Sequence, residues 1–275
     1  MNHFESKVAI VTGGASGIGR ALCEELGRRG ASMVAVADIN SDGAKQVASS
    51  VTAAGGLARE AQLDVSRADH VQKLVAETVS EHGRLDYMFN NAGIAMCGEV
   101  RDMDVKHWQR IVDINLWGVI HGTTAAYRVM TRQGFGHIVN TASLGGLIPE
   151  PMATAYVTTK HAVVGLSTSL RAEGAELGVK VSVVCPGFVK TGALDTATYI
   201  GVKREDAISE MSGMGMADVT KCVRVILRGV ERNRAIITDT GVTRVLWWLY
   251  RLNPGILGPF LKKGVSDIRA LRIET

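Results

Sequence analysis

The feature that most narrows what this chain can become is a glycine-rich run set between two kinds of apolar pattern. Val8–Val11 is a short, unbroken apolar run. It leads directly into Thr12-Gly13-Gly14-Ala15-Ser16-Gly17-Ile18-Gly19, after which Ala21, Leu22 and Leu26 recur at helical spacing. The order reads as strand, tight turn, helix. Glycine lets the backbone turn sharply and lets another group approach it closely. The start of a helix leaves unpaired N–H groups and the positive end of its dipole facing that turn. A pyrophosphate suits such a place.

The rest of the chain repeats the alternation. Further apolar runs are expected as strands at Met33–Ala37, Ala61–Val65, Leu85–Phe89, His137–Thr141, Lys180–Val184 and Ala235–Thr238. They are continuous rather than alternating in and out, which is how strands covered on both faces read. Helical periodicity fills the gaps: Val71, Leu74, Val75 and Val79 share one face, and Asp42 is expected to cap a helix carrying Ala44, Val47, Ala48 and Val51. The fold class is therefore α/β, a doubly wound Rossmann-like parallel sheet with helices on both faces. Residues 1–240 read as one domain, and 241–275 as a C-terminal extension.

The glycines Gly13, Gly17 and Gly19 form TGxxxGxG rather than the GxGxxG of the usual dinucleotide turn. Asp38 ends the second strand. A carboxylate there accepts hydrogen bonds from both hydroxyls of an adenosine ribose and repels a 2′-phosphate, so NAD is expected over NADP. Neither Ser16 nor Ile39 supplies the cation that a 2′-phosphate wants. The other reading of Asp38 is a cap on the following turn. Asp64-Val65 and Asn90-Asn91-Ala92-Gly93 are placed at carboxyl ends of strands, where open α/β sheets bind ligands.

Tyr156 and Lys160 stand four apart and share a helix face. Ser143 follows the fifth expected strand in a glycine turn that can face them. Oxidising an alcohol needs a base for the hydroxyl proton, and a free phenol titrates near pH 10, too high for the task. The Lys160 ammonium, together with the positive nicotinamide ring, is expected to lower the Tyr156 pKa.

The ordered set resembles the short-chain dehydrogenase/reductase family over about Lys7 to Thr238. It comprises TGxxxGxG, Asn90–Gly93, Asn115, Ser143, Tyr156–Lys160 and Pro186-Gly187. The resemblance implies that Tyr156 is the acid/base, that Ser143 holds the substrate oxygen, and that Asn115 organises a proton relay through Lys160. It further implies that Lys160 binds the nicotinamide ribose, that Asp64 and Val65 hold the adenine, and that Asn91 and Gly93 line the cofactor cleft. Pro186, Gly187, Val189 and Thr191 would meet the carboxamide side, while Ser16, Gly17 and Ile18 would meet the phosphates. A homodimer or homotetramer through the Tyr156 helix is implied as well.

The family's variable substrate loop corresponds to Gly192–Met216, with Tyr199, Ile200, Met211, Met214 and Met216. Adaptable methionines suggest a hydrophobic alcohol or ketone, or else simple packing of the loop. In the extension, Val245, Leu246, Trp247, Trp248, Leu249 and Tyr250 lie among Arg244, Arg251, Lys262 and Lys263, and Pro254 should end any helix there. A subunit interface, a lid and a peripheral membrane contact through 242–263 all fit.

Dispersed basic residues at a net charge of +4 give no nucleic-acid footprint. Cys23, Cys97, Cys185 and Cys222 lie far apart, so free thiols and no metal are expected. With no signal peptide and no spanning segment, a cytoplasmic protein is expected. Two other functions stay open: an NADPH-dependent carbonyl reductase, and a non-catalytic NAD(H) sensor.

Overall fold

The computed structural model describes residues 3–212 and 215–272, with the side chains of 210–212 left aside. Nine strands form among the described residues: β1 Val8–Thr12, β2 Met33–Asp38, β3 Ala58–Gln62, β4 Tyr87–Asn90, β5 Met96–Cys97, β6 Gly136–Thr141, β7 Val179–Cys185, β8 Thr198–Tyr199 and β9 Ile236–Thr238. Seven make one parallel sheet in the order β3-β2-β1-β4-β6-β7-β9. The order reverses between β1 and β4, and there a doubly wound sheet opens a crevice at its carboxyl edge. The doubly wound architecture read from the sequence is the one formed.

Side chains alternate across the sheet, as the two-residue strand period demands. On β1, Ala9 and Val11 face one core cluster and Ile10 the other. β2 repeats the division, with Val34 and Val36 opposite Ala35 and Ala37. Both faces are dry, which accounts for the continuous apolar runs. Leu22, Leu26, Val47, Val51, Val223 and Ile226 cover the first face, and Val71, Leu74, Ala126 and Met130 the second.

Two local expectations need correction, and one short pair of strands was not foreseen. The third strand is Ala58–Gln62, not Ala61–Val65, and Asp64 and Val65 lie beyond its end. This strand is the sheet edge, so it tolerates Arg59 and Glu60 and lacks a fully apolar run. The helix Ser41–Ala53 is capped by Asn40, whose side chain accepts from the Gly43 N–H, while Asp42 sits inside the first turn. The short parallel pair β5–β8 is too brief to leave a periodic signature.

The extension forms helices Gly241–Leu252 and Gly258–Arg269, with the break at Pro254 as expected. Leu246, Trp247, Tyr250, Leu257 and Leu261 pack onto the cluster of Leu144, Leu147 and Ile148. Arg269 and Arg272 pair with Glu99 and Asp102. Val242, Val245, Trp248, Leu252 and Phe260 remain exposed. No helix among the described residues is long and apolar enough to cross a membrane.

Candidate active site

A cleft of about 620 Å³ opens at the carboxyl edge of the sheet. It gathers Gly13, Ser16, Gly17, Ile18, Asp38, Asp64, Val65, Asn91, Gly93, Ser143, Tyr156, Lys160, Pro186, Gly187, Val189 and Thr191. Of the residues expected to be catalytic or to bind the cofactor, Gly19 and Asn115 do not line it; Gly19 packs against Gly13 and Asn91, and Asn115 against Gly93.

The glycine turn is shaped by contacts that leave no room for side chains. Gly13 and Gly17 have positive φ, +68° and +52°. A Cβ on Gly13 would stand 2.8 Å from the Ala92 Cα, and one on Gly19 would stand 2.0 Å from the Gly13 carbonyl oxygen. Gly19 thus packs the first helix onto the turn, and the surface facing the cleft is bare backbone. Ser16 occupies the N-cap position, and its side chain makes no capping bond. The exposed first-turn N–H groups and the bare backbone together fit a pyrophosphate.

Thr12 joins this turn to the β4 end. Its Oγ1 accepts from the N–H groups of Asn91 and Ala92, both at 3.0 Å, and Asn91 Nδ2 donates to the Thr12 carbonyl at 3.1 Å. Sequence reasoning gave Thr12 no role of its own, although it heads the motif. Asp38 does two things at once. Its Oδ1 accepts from Asn40 N–H at 2.9 Å and its Oδ2 from Ala15 N–H at 3.0 Å, while the residue still lines the cleft. The capping and cleft-lining readings therefore coexist, since each carboxylate oxygen can accept more than one bond.

Asp64 is oriented by Ser66, whose N–H and hydroxyl both donate to its Oδ1. The Val65 carbonyl lies 3.0 Å from His121 Nδ1, and His121 stacks on Trp117. Across the cleft, Gly187 N–H donates to Asp239 Oδ1 at 3.0 Å, and Thr243 Oγ1 donates to the same oxygen at 3.0 Å. The extension therefore helps to set the Pro186-Gly187 turn, across the boundary drawn at 240.

Ser143, Tyr156 and Lys160 converge at the centre. Ser143 caps the short turn Leu144–Gly146, accepting from Gly145 N–H at 3.2 Å, and its hydroxyl stands close enough to Tyr156 to favour the phenolate. The turn packs tightly on the Tyr156 helix, since a Cβ on Gly146 would meet the Lys160 carbonyl at 2.7 Å. Lys160 Nζ donates to the Thr141 carbonyl at 3.0 Å and lies 5.5 Å from the centroid of the Tyr156 ring.

In the chain by itself the Tyr156 phenol is shifted upward. Burial pushes the phenol above its ordinary range, the Glu150 carboxylate adds to the rise, and the Ser143 hydroxyl opposes it. The Lys160 ammonium is directed to the Thr141 carbonyl and the ring face. Burial also lowers Lys160, to about 8, with the neighbouring Cys185 opposing. Ser143 and Tyr156 together form a pair of hydroxyls able to hold one oxygen and exchange a proton with it.

Asn115 lies in a π-helical turn, Asp113–Trp117, and is fully buried. Single π turns of this kind are rare and often accompany functional sites. Around the substrate end, Met216 and Tyr199 line the cleft, with Tyr199 Oη donating to the Leu194 carbonyl at 2.8 Å. Ile200 instead packs with Met96 and Ile111. Met214 lies outside the described residues, as does the side chain of Met211. Among the described residues the four cysteines are free, and no cluster suited to a metal forms.

Residues 7–198 match the family model described as short chain dehydrogenase. The chain belongs to the short-chain dehydrogenase family. It is 37% identical over 193 residues to a cyclohexanol dehydrogenase of an Acinetobacter species, covering 69% of this chain and 76% of that one. It is 40% identical over 199 residues to a 2,5-dichloro-2,5-cyclohexadiene-1,4-diol dehydrogenase of Sphingobium indicum, covering 72% and 78%. Among solved structures, a short-chain dehydrogenase/reductase from Burkholderia phymatum in complex with NAD aligns with a TM-score of 0.84 at 28% identity, over 93% of this chain and 96% of that one. In this oxidoreductase of the family, Ser143, Tyr156 and Lys160 line one cleft.

Proposed function

We propose that this chain is an NAD-dependent dehydrogenase that interconverts a largely apolar secondary alcohol and its ketone. The observation that carries the reading is the convergence of Ser143, Tyr156 and Lys160 on the same cleft as the bare glycine turn. NAD, when bound, supplies the hydride acceptor and a positively charged ring. Gly13, Ser16, Gly17 and Ile18 would hold its phosphates, Asp38 its adenosine ribose, Asp64 and Val65 its adenine, and Val189 and Thr191 its carboxamide side.

The protein's own contribution is placement and proton transfer. Ser143 and Tyr156 hold the carbinol oxygen through two hydrogen bonds. In the oxidative direction the hydroxyl proton passes to Tyr156, and in the reductive direction Tyr156 returns it to the forming alkoxide. In the chain alone Tyr156 is held protonated, so it is poised as an acid. It becomes a useful base only when positive charge enters the cleft, which couples proton transfer to cofactor binding. Lys160, held by Thr141, keeps a cation under the ring at neutral pH.

Asp38 supports NAD over NADP, because a carboxylate repels a 2′-phosphate and the neighbouring Ile39 supplies no counter-charge. The NAD-bound relative supports the same direction, and the cyclic-alcohol names among the relatives support an alcohol as substrate. The lining residues Ile94, Met96, Leu194 and Met216 favour an apolar substrate body. The test is a fluorescence titration with NADH and NADPH, followed by NADH production from cyclohexanol. Tighter NADH binding and turnover support the reading; preference for NADPH would make the protein a carbonyl reductase, and binding of neither would remove the enzyme assignment.

A further inference from the structure

The substrate end of the cleft contains one acidic group that the chemistry above does not use. Glu150 stands in Ile148-Pro149-Glu150-Pro151-Met152, between the Ser143 turn and the Tyr156 helix, and lines the cleft. Its carboxyl oxygens lie 2.8 and 3.1 Å from the place a Cβ on Gly145 would occupy. Gly145 is therefore what leaves space for the carboxyl beside Ser143. Its charge reaches the Tyr156 hydroxyl.

Among the described residues no cation and no hydrogen-bond donor pairs with this carboxyl; burial alone shapes its titration, pushing it up to about 7. The carboxyl is half-buried and lines the cleft, so both of its oxygens are left free to accept a hydrogen bond from a ligand held there. Around it Ile94, Met96, Leu194 and Met216 are apolar, and the Tyr199 hydroxyl is committed to the Leu194 carbonyl.

We infer that Glu150 forms a subsite for a second hydroxyl on the substrate, so that the preferred alcohol is a cyclic or branched diol, or the matching hydroxy ketone. The inference rests on the dehydrogenase reading and adds one polar feature to an apolar substrate body. Ser143 and Tyr156 hold the oxygen that reacts, and Glu150 accepts from the one that does not. A polar site of this kind discriminates strongly against the analogue lacking the hydroxyl, because the carboxyl is then left unpaired in the closed complex.

The experiment compares kcat/KM for cyclohexanol with that for cyclohexane-1,2-diol, -1,3-diol and -1,4-diol, with NAD, in the wild type and in Glu150→Leu and Glu150→Gln. The expected result is a wild-type preference for at least one diol of about ten-fold or more. That ratio collapses toward one in Glu150→Leu. It survives largely in Glu150→Gln, whose amide oxygen still accepts; this variant also carries the comparison if the leucine variant misfolds. Equal ratios in wild type and Glu150→Leu, with cyclohexanol turned over by both, would overturn the subsite while leaving the dehydrogenase reading intact. Failure of the wild type to oxidise any of the four alcohols would overturn that reading for cyclic alcohols, and the subsite with it.

Discussion

The side-chain amide of Asn115 grips the backbone of Ile94 in both directions. Its Oδ1 accepts from the Ile94 N–H at 2.8 Å and its Nδ2 donates to the Ile94 carbonyl at 2.9 Å. The pairing copies what a neighbouring strand would provide, at the point where β4 has ended and no strand is present. It ties the segment Asn91–Met96, which lines the cleft, to the π-helical turn beneath. Gly93 suits the same geometry, because a Cβ there would crowd Asn115 Oδ1 at 3.2 Å.

Replacing Asn115 by alanine strips two backbone groups of their partners at once. Each buried orphan costs about 1–3 kcal/mol, so a loss of roughly 2 kcal/mol or more is expected. Thermal denaturation of Asn115→Ala should show a melting temperature lowered by several degrees, with turnover falling too. An unchanged melting temperature would mean that the segment is held by other contacts.

Gly19 makes a sharper case. An added methyl would lie 2.0 Å from the Gly13 carbonyl and 2.7 Å from Asn91 Nδ2, so the turn itself must move. Gly19→Ala is expected to cost about 1–3 kcal/mol and to weaken NADH binding by about ten-fold or more, one decade being worth about 1.4 kcal/mol. Gly264, in the last helix with nothing near its Cβ position, is the control. Gly264→Ala should be neutral or stabilising by up to about 1 kcal/mol. Equal behaviour of the two variants would contradict the close-packed turn.

Stability should carry the signature of Glu150. In the folded chain its carboxyl titrates at about 7, against an ordinary value near 4.5. Between those values the folded state holds a proton that the unfolded chain has released, so stability falls as pH rises through this window. Its neighbours do not titrate there: burial raises Tyr156 and takes Cys185 up to about 12, and Lys160 sits at about 8. The wild-type melting temperature should therefore drop more between about pH 5 and pH 7 than that of Glu150→Gln. Parallel curves would show that the carboxyl is solvated. Lys160 acts with the opposite sign above pH 8, where the unfolded lysine keeps a proton the folded one has lost and stability rises with pH.

The cleft was legible from the sequence where a residue's role follows from its local pattern. The glycine turn, Asp38, Ser143 and the Tyr156–Lys160 spacing are of this kind: strand end, helix start and helix face place them. What escaped depends on contacts across the chain. The raised titration of Tyr156 comes from burial and from Glu150, which reaches it from a separate turn. The grip of Asn115 on Ile94, the hold of Thr12 on Asn91 and Ala92, and the Thr243–Asp239–Gly187 chain join segments that share no periodicity. The edge strand Ala58–Gln62 was misplaced because only interior strands need both faces apolar. The flanking prolines of Glu150 were a signal, since a charged residue in so short and apolar a turn calls for a reason.

The central claim is that Tyr156 exchanges the substrate proton while the rest of the cleft binds the cofactor. The direct measurement is NADH formation from a secondary alcohol by wild type and Tyr156→Phe, alongside NADH titration of both. The account predicts similar NADH affinity in the two proteins and a fall in kcat of about 10²–10⁴-fold in the variant. Turnover by Tyr156→Phe within a few-fold of wild type would contradict it.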